Sequence, residues 1–194
     1  MKQSAGAKTL AMPTPVWLVG TYDADNKPNI MTIAWGGICC STPPCVTVSL
    51  RKATHSYAAI EARQAFTISI PSRLQVAEAD FCGIASGREV DKFSACNWTP
   101  VKSELVDAPY VSEVALVLEC RLLHTFELGL HTQFVGEIVD VKADEGVLGA
   151  KGYPDITKVD PFIWDSAHRR YFGLGDCLGT AWEIGKTITT EETK

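Results

Sequence analysis

The feature that most constrains this chain is a series of short β-forming runs separated by turn residues. Residues 16–22 and 29–35 lie on either side of the turn-rich sequence Asp-Ala-Asp-Asn-Lys-Pro, which predicts a hairpin. Residues 45–50 alternate apolar and polar side chains, as a half-buried strand does. Two longer runs, residues 114–127 and 131–144, are separated by Leu-Gly-Leu and predict a second hairpin.

Helical spacing of apolar residues is limited to two short segments, residues 55–63 and 74–84. Residues 65–70 and 169–172 predict further short strands, and residues 177–187 predict a closing helix or an irregular tail. No strand–helix–strand rhythm with long helices recurs, which argues against a parallel doubly wound sheet. The pattern therefore predicts a mainly β fold with a few helices, arranged as a barrel.

Length and composition indicate one soluble domain covering residues 1–194, because 194 residues with 46% hydrophobic content can enclose a single core. A formal net charge of −5 and the lack of a basic stripe argue against nucleic acid or an anionic membrane as partner. The apolar runs are too short to span a bilayer, and residues 1–10 lack the apolar core of a secretory signal. We therefore expect a cytoplasmic protein.

The seven cysteines do not indicate a metal centre. No C-x-x-C pair is followed by a second one, so the ligand spacing of zinc or iron–sulfur sites is missing and no metal is predicted. Such a number of free thiols is typical of a reducing compartment.

The segment at residues 49–57 joins a strand to the start of a helix and is the best candidate for an anion site. Unpaired amides at a helix N-terminus attract anions, and Arg51, Lys52, Thr54 and Ser56 add side-chain donors. The segment can therefore hold a dianionic phosphate. The alternative is that Thr54 caps the helix while the two basic residues are solvated.

A second candidate surface lies along residues 29–35, where Asn29, Thr32 and Trp35 precede Gly36-Gly37. Glycines permit close approach of the backbone, and polar groups beside an aromatic wall suit a flat ring with polar edges. Core packing is the alternative role for Trp35. His131 follows the Gly129 turn and is placed to donate a hydrogen bond to such a ring.

Other common site patterns are missing from the sequence. There is no G-x-G-x-x-G after the first strand and no G-x-x-x-x-G-K-[ST], so the two usual phosphate loops are absent. Neither a Ser-His-Asp nor a Cys-His arrangement can be recognised, so no catalytic residue is assigned.

Taken together and in order, five segments resemble the flavin reductase-like, FMN-binding split-barrel family, and within it the flavoredoxins. They are Asn-Ile-Met-Thr-Ile-Ala-Trp at 29–35, Val-Ser-Leu-Arg-Lys-Ala-Thr-His-Ser at 48–56, Ser-Gly-Arg-Glu-Val-Asp-Lys-Phe at 86–93, His-Thr-Gln-Phe-Val-Gly-Glu at 131–137 and Tyr-Phe-Gly-Leu-Gly at 171–175. The resemblance implies a homodimer of Greek-key split β-barrels with FMN near the subunit interface.

The resemblance also implies which residues surround FMN. Those expected to line the flavin ring are Asn29, Thr32, Ala34 and Trp35. Those expected to hold the ring edge, the ribityl chain and the phosphate are Ser49, Arg51, Thr54 and Ser56. Lys92 is expected near the flavin or its phosphate, and His131 and Phe162 are expected to complete the pocket.

One departure from the family pattern bears on function. Many flavin reductases of this family have Gly-Asp-His where this chain has Gly129-Leu130-His131. The missing carboxylate favours a flavoredoxin, an oxidoreductase in which bound FMN passes electrons between redox partner proteins or small acceptors, and oxidation of NAD(P)H stays open. Two alternatives stay open: an NAD(P)H:FMN reductase that uses FMN as a dissociable substrate, and a flavin- or haem-binding module without turnover.

Overall fold

The structure is a computed structural model that describes residues 1–188, and it is dominated by antiparallel strands. The strands are β1 (Thr14–Pro15), β2 (Trp17–Tyr22), β3 (Pro28–Ile33), β4 (Gly36–Ser41), β5 (Pro44–Arg51), β6 (Ala65–Ser69), β7 (Pro100–Lys102), β8 (Pro109–Val111), β9 (Leu116–Leu128), β10 (His131–Ala143), β11 (Phe162–Asp165) and β12 (Arg170–Gly173). The helices are α1 (His55–Arg63), α2 (Val76–Ile84), α3 (Lys92–Ala95) and α4 (Ile156–Val159). The mainly β fold predicted from the sequence is confirmed.

The main sheet has seven strands in the order β3-β2-β6-β9-β10-β5-β4. Its two outer strands, β3 and β4, are connected only by Ala34 and Trp35, and the Ser49 amide donates to the Trp35 carbonyl at 2.8 Å. Buried side chains from β2, β3, β5, β6, β9 and β10 form one apolar cluster with α1, so the sheet curls around a single core.

A second apolar cluster lies against the outer face of this sheet. It contains Leu18, Ile30, Ala79, Phe93 and Phe162, which come from β2, β3, α2, α3 and β11. Strand β11 belongs to a small sheet with the order β1-β11-β12. This second core fixes α2, α3 and the small sheet against β3, and the candidate site lies where these elements meet.

Most predicted elements are present. The first hairpin is formed by β2 and β3, and the second by β9 and β10, whose turn places Gly129 at φ +57°. Helix α1 has the predicted bounds, whereas α2 begins at Val76 because the turn at Arg73–Gln75 is a 3-10 helix. The expected closing segment is an irregular, exposed tail with one 3-10 turn at Ile184–Thr187.

The sequence did not reveal β4 or the short strands β1, β7, β8 and β11. None of the helices within residues 1–188 combines the length and the apolar character that a membrane span requires.

Candidate functional site

Two adjoining clefts contain almost all of the residues singled out in the sequence. The first, called here the polar cleft, has a volume of about 210 Å³ and is lined by Asn29, Met31, Ala53, Thr54, His55, Ser56, Cys82, Gly83, Ile84, Ala85, Ser86, Gly87, Arg88 and Lys92. The second, the aromatic cleft, has a volume of about 200 Å³ and is lined by Met31, Thr32, Ile33, Ala34, Trp35, Ser49, Arg51, Thr54, His131 and Trp164. Because Met31 and Thr54 line both, the two clefts form one continuous groove.

The N-terminus of α1 opens into the polar cleft. Thr54 occupies the N-cap position, but its hydroxyl donates to the Arg51 carbonyl at 2.9 Å, and no side-chain cap of the helix forms. Thr54 therefore stands at the cap position, as the alternative role expected, but its side chain does not cap the helix. The first amides of α1 remain without a side-chain acceptor, which leaves them available to an anion in the cleft.

A buried hydrogen bond lies at the same end of the groove. The Asn29 amide donates to the Ser56 hydroxyl at 2.9 Å, and both side chains are almost inaccessible to solvent. A Cβ atom on Gly87 would lie 2.1 Å from Oδ1 of Asn29, so only glycine fits beside this pair. The loop after α2 can therefore approach Asn29 closely enough to close one side of the polar cleft.

Two basic side chains come from the other side of the polar cleft. The Arg88 guanidinium donates to the Ala53 carbonyl at 2.8 Å, which links the loop after α2 to the segment that precedes α1. Lys92 is only 5% exposed, and its Nζ donates to the Cys82 carbonyl at 2.7 Å. An ammonium group has three donors, so Lys92 retains hydrogen-bonding capacity for a ligand. Burial lowers the pKa of Lys92, because a charged ammonium loses hydration there.

The aromatic cleft is built around Trp35 and Trp164. Trp35 lies in the two-residue connection between β3 and β4, and its ring meets the Trp164 ring edge-on, with centroids 5.9 Å apart. Both rings are partly exposed, so Trp35 is not a core residue. The opposite rim carries Arg51 and His131, which face each other across the β5–β10 pairing.

Arg51 differs from its neighbours in having a free side chain. Within residues 1–188 the Arg51 guanidinium makes no ion pair and no side-chain hydrogen bond, whereas Lys52 pairs with Glu127 at 2.5 Å. A cation with no protein partner at the rim of a groove is available to a ligand anion.

A third cavity of about 380 Å³, called the outer cavity, adjoins both clefts. It shares Thr32, Ala34 and Trp164 with the aromatic cleft and Gly83 with the polar cleft. Within the described part of the chain, no group of three histidine, cysteine or acidic side chains is arranged to hold a metal ion.

Comparison with known proteins agrees with this geometry. The model of the flavin reductase-like domain matches residues 9–173. The chain belongs to this family. The family supports a flavin as the class of ligand, and the family predicted from the sequence is confirmed.

Solved structures of the flavin reductase-like family extend the comparison. Flavoredoxin of Desulfovibrio vulgaris (Miyazaki F) is 56% identical, with a TM-score of 0.91 over 95% of this chain and 100% of that chain. Flavoredoxin from Methanosarcina acetivorans is 31% identical, with a TM-score of 0.88 over 97% of this chain and 98% of that chain. The split-barrel fold is thereby confirmed.

A third relative was found by sequence. The high molecular weight rubredoxin of Moorella thermoacetica is 34% identical over 102 residues, which cover 52% of this chain and 43% of that protein.

The structure brings ten of the eleven predicted site residues to the groove of this flavin reductase-like chain. Asn29, Ser56 and Lys92 lie in the polar cleft, and Thr54 lies in both clefts. The residues in the aromatic cleft are Thr32, Ala34, Trp35, Ser49, Arg51 and His131.

Phe162 is the exception, because the structure places it outside both clefts. It is 3% exposed and packs edge-on against Tyr171 in the second core, with ring centroids 5.5 Å apart. Trp164 lines the cleft instead. The two residues lie two apart on β11, so their side chains lie on the same face of the strand.

The lining residues that were missed as site residues include Gly87, Arg88 and Trp164. Gly87 and Arg88 stand in the quoted segment 86–93, so the signal for them was present. Trp164 stands in a turn-rich stretch with no periodic pattern to mark it.

Proposed function

We propose that this protein binds FMN non-covalently in the polar and aromatic clefts and transfers electrons through it, as a flavoredoxin-type oxidoreductase. The observation that carries the proposal is the continuity of the groove, which has cations and helix amides at one end and two tryptophans at the other. The name of the relative that is 56% identical, flavoredoxin, supports the same function.

The polar cleft fits the phosphate of FMN. Ser56 and the first amides of α1 would donate to phosphate oxygens, while Lys92 would supply positive charge. The close approach of the loop to Asn29, which only glycine permits at position 87, closes one side of this cleft. FMN ends in a phosphate group that hydrogen-bond donors can surround, so we expect FMN in preference to FAD.

The aromatic cleft fits the flavin ring. Trp35 and Trp164 would form apolar walls, and Thr32, Ala34 and Ser49 would lie along the ring edge and the ribityl chain. Asn29 lies in the polar cleft, where its bond to Ser56 would position the helix start rather than line the ring.

Bound FMN supplies the redox chemistry, and the chain supplies binding, orientation and charge. The cations Lys92 and Arg51 favour the negative charge that reduction adds, which would raise the reduction potential. His131, at the start of β10, can donate a hydrogen bond to the ring edge. The outer cavity opens beside Trp164 and would admit a small electron acceptor or a side chain of a partner protein. The chain would do this as one domain comprising residues 1–194.

The nature of the electron donor separates this function from its two alternatives. With FMN-loaded protein under anaerobic conditions, we expect NADH or NADPH alone to leave the flavin absorbance unchanged, because Leu130 stands where many flavin reductases have a carboxylate. We expect reduced rubredoxin, chosen because of the Moorella relative, to bleach it. Rapid bleaching by either nucleotide would instead favour an NAD(P)H:FMN reductase. A flavin that dithionite reduces but neither donor does would favour a module without turnover.

A homodimer is the second part of the proposal. The end of the β9–β10 hairpin exposes Phe126, Leu128 and Leu130 to solvent, and the tail exposes Leu178 and Trp182. Apolar surface of this kind is normally covered by a partner. Because His131 lies next to this hairpin end, a second subunit bound there would lie beside the aromatic cleft. Light scattering should give twice the chain mass of 21.1 kDa. A stable monomer would contradict the dimer and require one chain to complete the pocket.

A further inference from the structure

Two of the seven cysteines form a close pair beside the polar cleft, and one of them, Cys82, helps to line that cleft. Sγ of Cys82, in α2, lies 3.8 Å from Sγ of Cys96, the residue that follows α3. Both are free thiols in this structure. Nothing in the proposed binding of FMN requires either thiol, so the pair needs an explanation of its own.

The distance between the two sulfur atoms is short enough for a bond to form with a small movement. A disulfide has a sulfur–sulfur length of about 2 Å, so the atoms must approach by about 1.8 Å. Cys96 is attached to α3, a helix of four residues that an irregular loop joins to α2. A helix of about one turn would shift toward α2 as a unit, together with Phe93, which packs in the second core.

Solvent can reach only one of the two thiols. Cys82 is completely buried, whereas Cys96 is partly exposed and lines an open groove between α2 and α3 together with Glu78 and Phe81. A small oxidant can therefore reach Cys96 from solvent, and Cys82 is then the nearest thiol to it.

The pair is connected to the polar cleft through Lys92. Nζ of Lys92 donates to the carbonyl of Cys82, and Lys92 is the first residue of α3, four residues before Cys96. A bond between the two sulfurs would pull the C-terminal end of α3 toward α2. The lysine at the other end of the same helix would have to move with it.

We propose that Cys82 and Cys96 are a redox-active thiol pair that a hydroperoxide converts to an intramolecular disulfide, and that this bond displaces Lys92 in the polar cleft. The disulfide stands on the geometry of the pair alone, whereas its effect on the cleft rests on the proposed function.

The chemistry balances with hydrogen peroxide as the two-electron oxidant. The Cys96 thiolate attacks a peroxide oxygen, the O–O bond breaks, and a sulfenic acid forms while the first water leaves. Cys82 then attacks the Cys96 sulfur, the S–S bond forms, and the sulfenic oxygen leaves as a second water. Two thiols are oxidised by two electrons, and one peroxide is reduced to two waters. Burial raises the pKa of the Cys96 thiol, so the oxidation should be faster at about pH 9 than at about pH 7.

Peptide mapping tests the disulfide directly and needs no flavin. The protein is treated with hydrogen peroxide, alkylated under denaturing conditions and digested with trypsin. We expect peptides 74–88 and 93–102 to be linked, with a mass two hydrogen atoms below the sum of the free peptides. Cys96→Ser should abolish the link, and Cys177→Ser, which removes an exposed thiol elsewhere, should retain it. Oxidation of Cys96 to sulfinic or sulfonic acid with Cys82 still alkylated would overturn the proposal.

FMN titration tests the connection to the cleft. Peroxide-treated protein should bind FMN about tenfold more weakly than reduced protein, because a charged hydrogen-bond donor is displaced. A thiol reductant should restore binding, and the Cys96→Ser variant should show no such loss. A linked peptide with unchanged FMN affinity would overturn the role of Lys92. Failure of untreated protein to bind FMN would count instead against the proposed function.

Discussion

Replacing Arg51 with alanine is expected to weaken FMN binding by about 1.5–3 kcal/mol, which is about a 10- to 150-fold rise in the dissociation constant. Arg51 lines the aromatic cleft next to Thr54, and its guanidinium has no partner within the described residues. Bound FMN would therefore receive a charge-assisted hydrogen bond from Arg51 without breaking an existing one. Titration of the apo-protein with FMN, followed by flavin fluorescence, measures the change.

Lys52→Ala provides the matched control. Lys52 has the same charge one residue further along, but its ammonium is paired with Glu127 and it does not line either cleft. We expect the dissociation constant of this variant to stay within about twofold of the parent. Equal losses of FMN affinity in the two variants would show a general effect of charge. An unchanged titration for Arg51→Ala would mean that Arg51 is a solvated surface residue that does not contact FMN.

Replacing Trp35 with alanine should lower FMN affinity at least several-fold while leaving the apo-protein nearly as stable. An aromatic contact to the flavin ring contributes about 0.5–1.5 kcal/mol beyond the burial of apolar area. Trp35 is partly exposed, and its ring partner is Trp164, which lines the same cleft. Removing it therefore opens the cleft rather than a cavity in the core.

The control for Trp35 separates packing from ligand contact. Trp35→Phe keeps an aromatic wall, so this variant should retain most of the affinity. Urea unfolding of the apo-protein is measured alongside the FMN titrations. If Trp35 were a core residue, its truncation would cost about 3–5 kcal/mol of unfolding free energy. A stability loss of that size, with unchanged affinity in the folded fraction, would contradict the flavin-wall role.

The elements that were predicted well from the sequence are those that bury one face against the core, because that face is visible as a pattern in neighbouring residues. Strand β5 alternates because Val46, Val48 and Leu50 point into the core, and α1 shows its helical period for the same reason. Strand β4 gave no such signal. It is an edge strand whose side chains are mostly exposed, and its glycines and the Thr-Pro-Pro turn that follows it resemble a loop. Only pairing with β5 makes it a strand.

The residues of the candidate site show the same contrast between local and long-range signals. Arg51, Thr54 and Ser56 are close in sequence, and a strand end followed by a helix start brings them together whatever the rest of the fold does. Trp164 reaches the cleft only because β11 pairs with β1 in a separate sheet, and no local pattern encodes that contact. The family resemblance pointed to Phe162, two residues before Trp164, and no pattern in the sequence revealed β11 itself.

The most direct test of a groove built for FMN is the identity of the flavin that the protein carries. The protein is purified or loaded with a mixture of FMN and FAD, washed, and denatured by heat, and the released flavin is separated and quantified. We predict FMN at about one equivalent per chain, because the proposed site has one end for the phosphate and one end for the flavin ring. Release of FAD, or of no flavin after loading, would contradict the account.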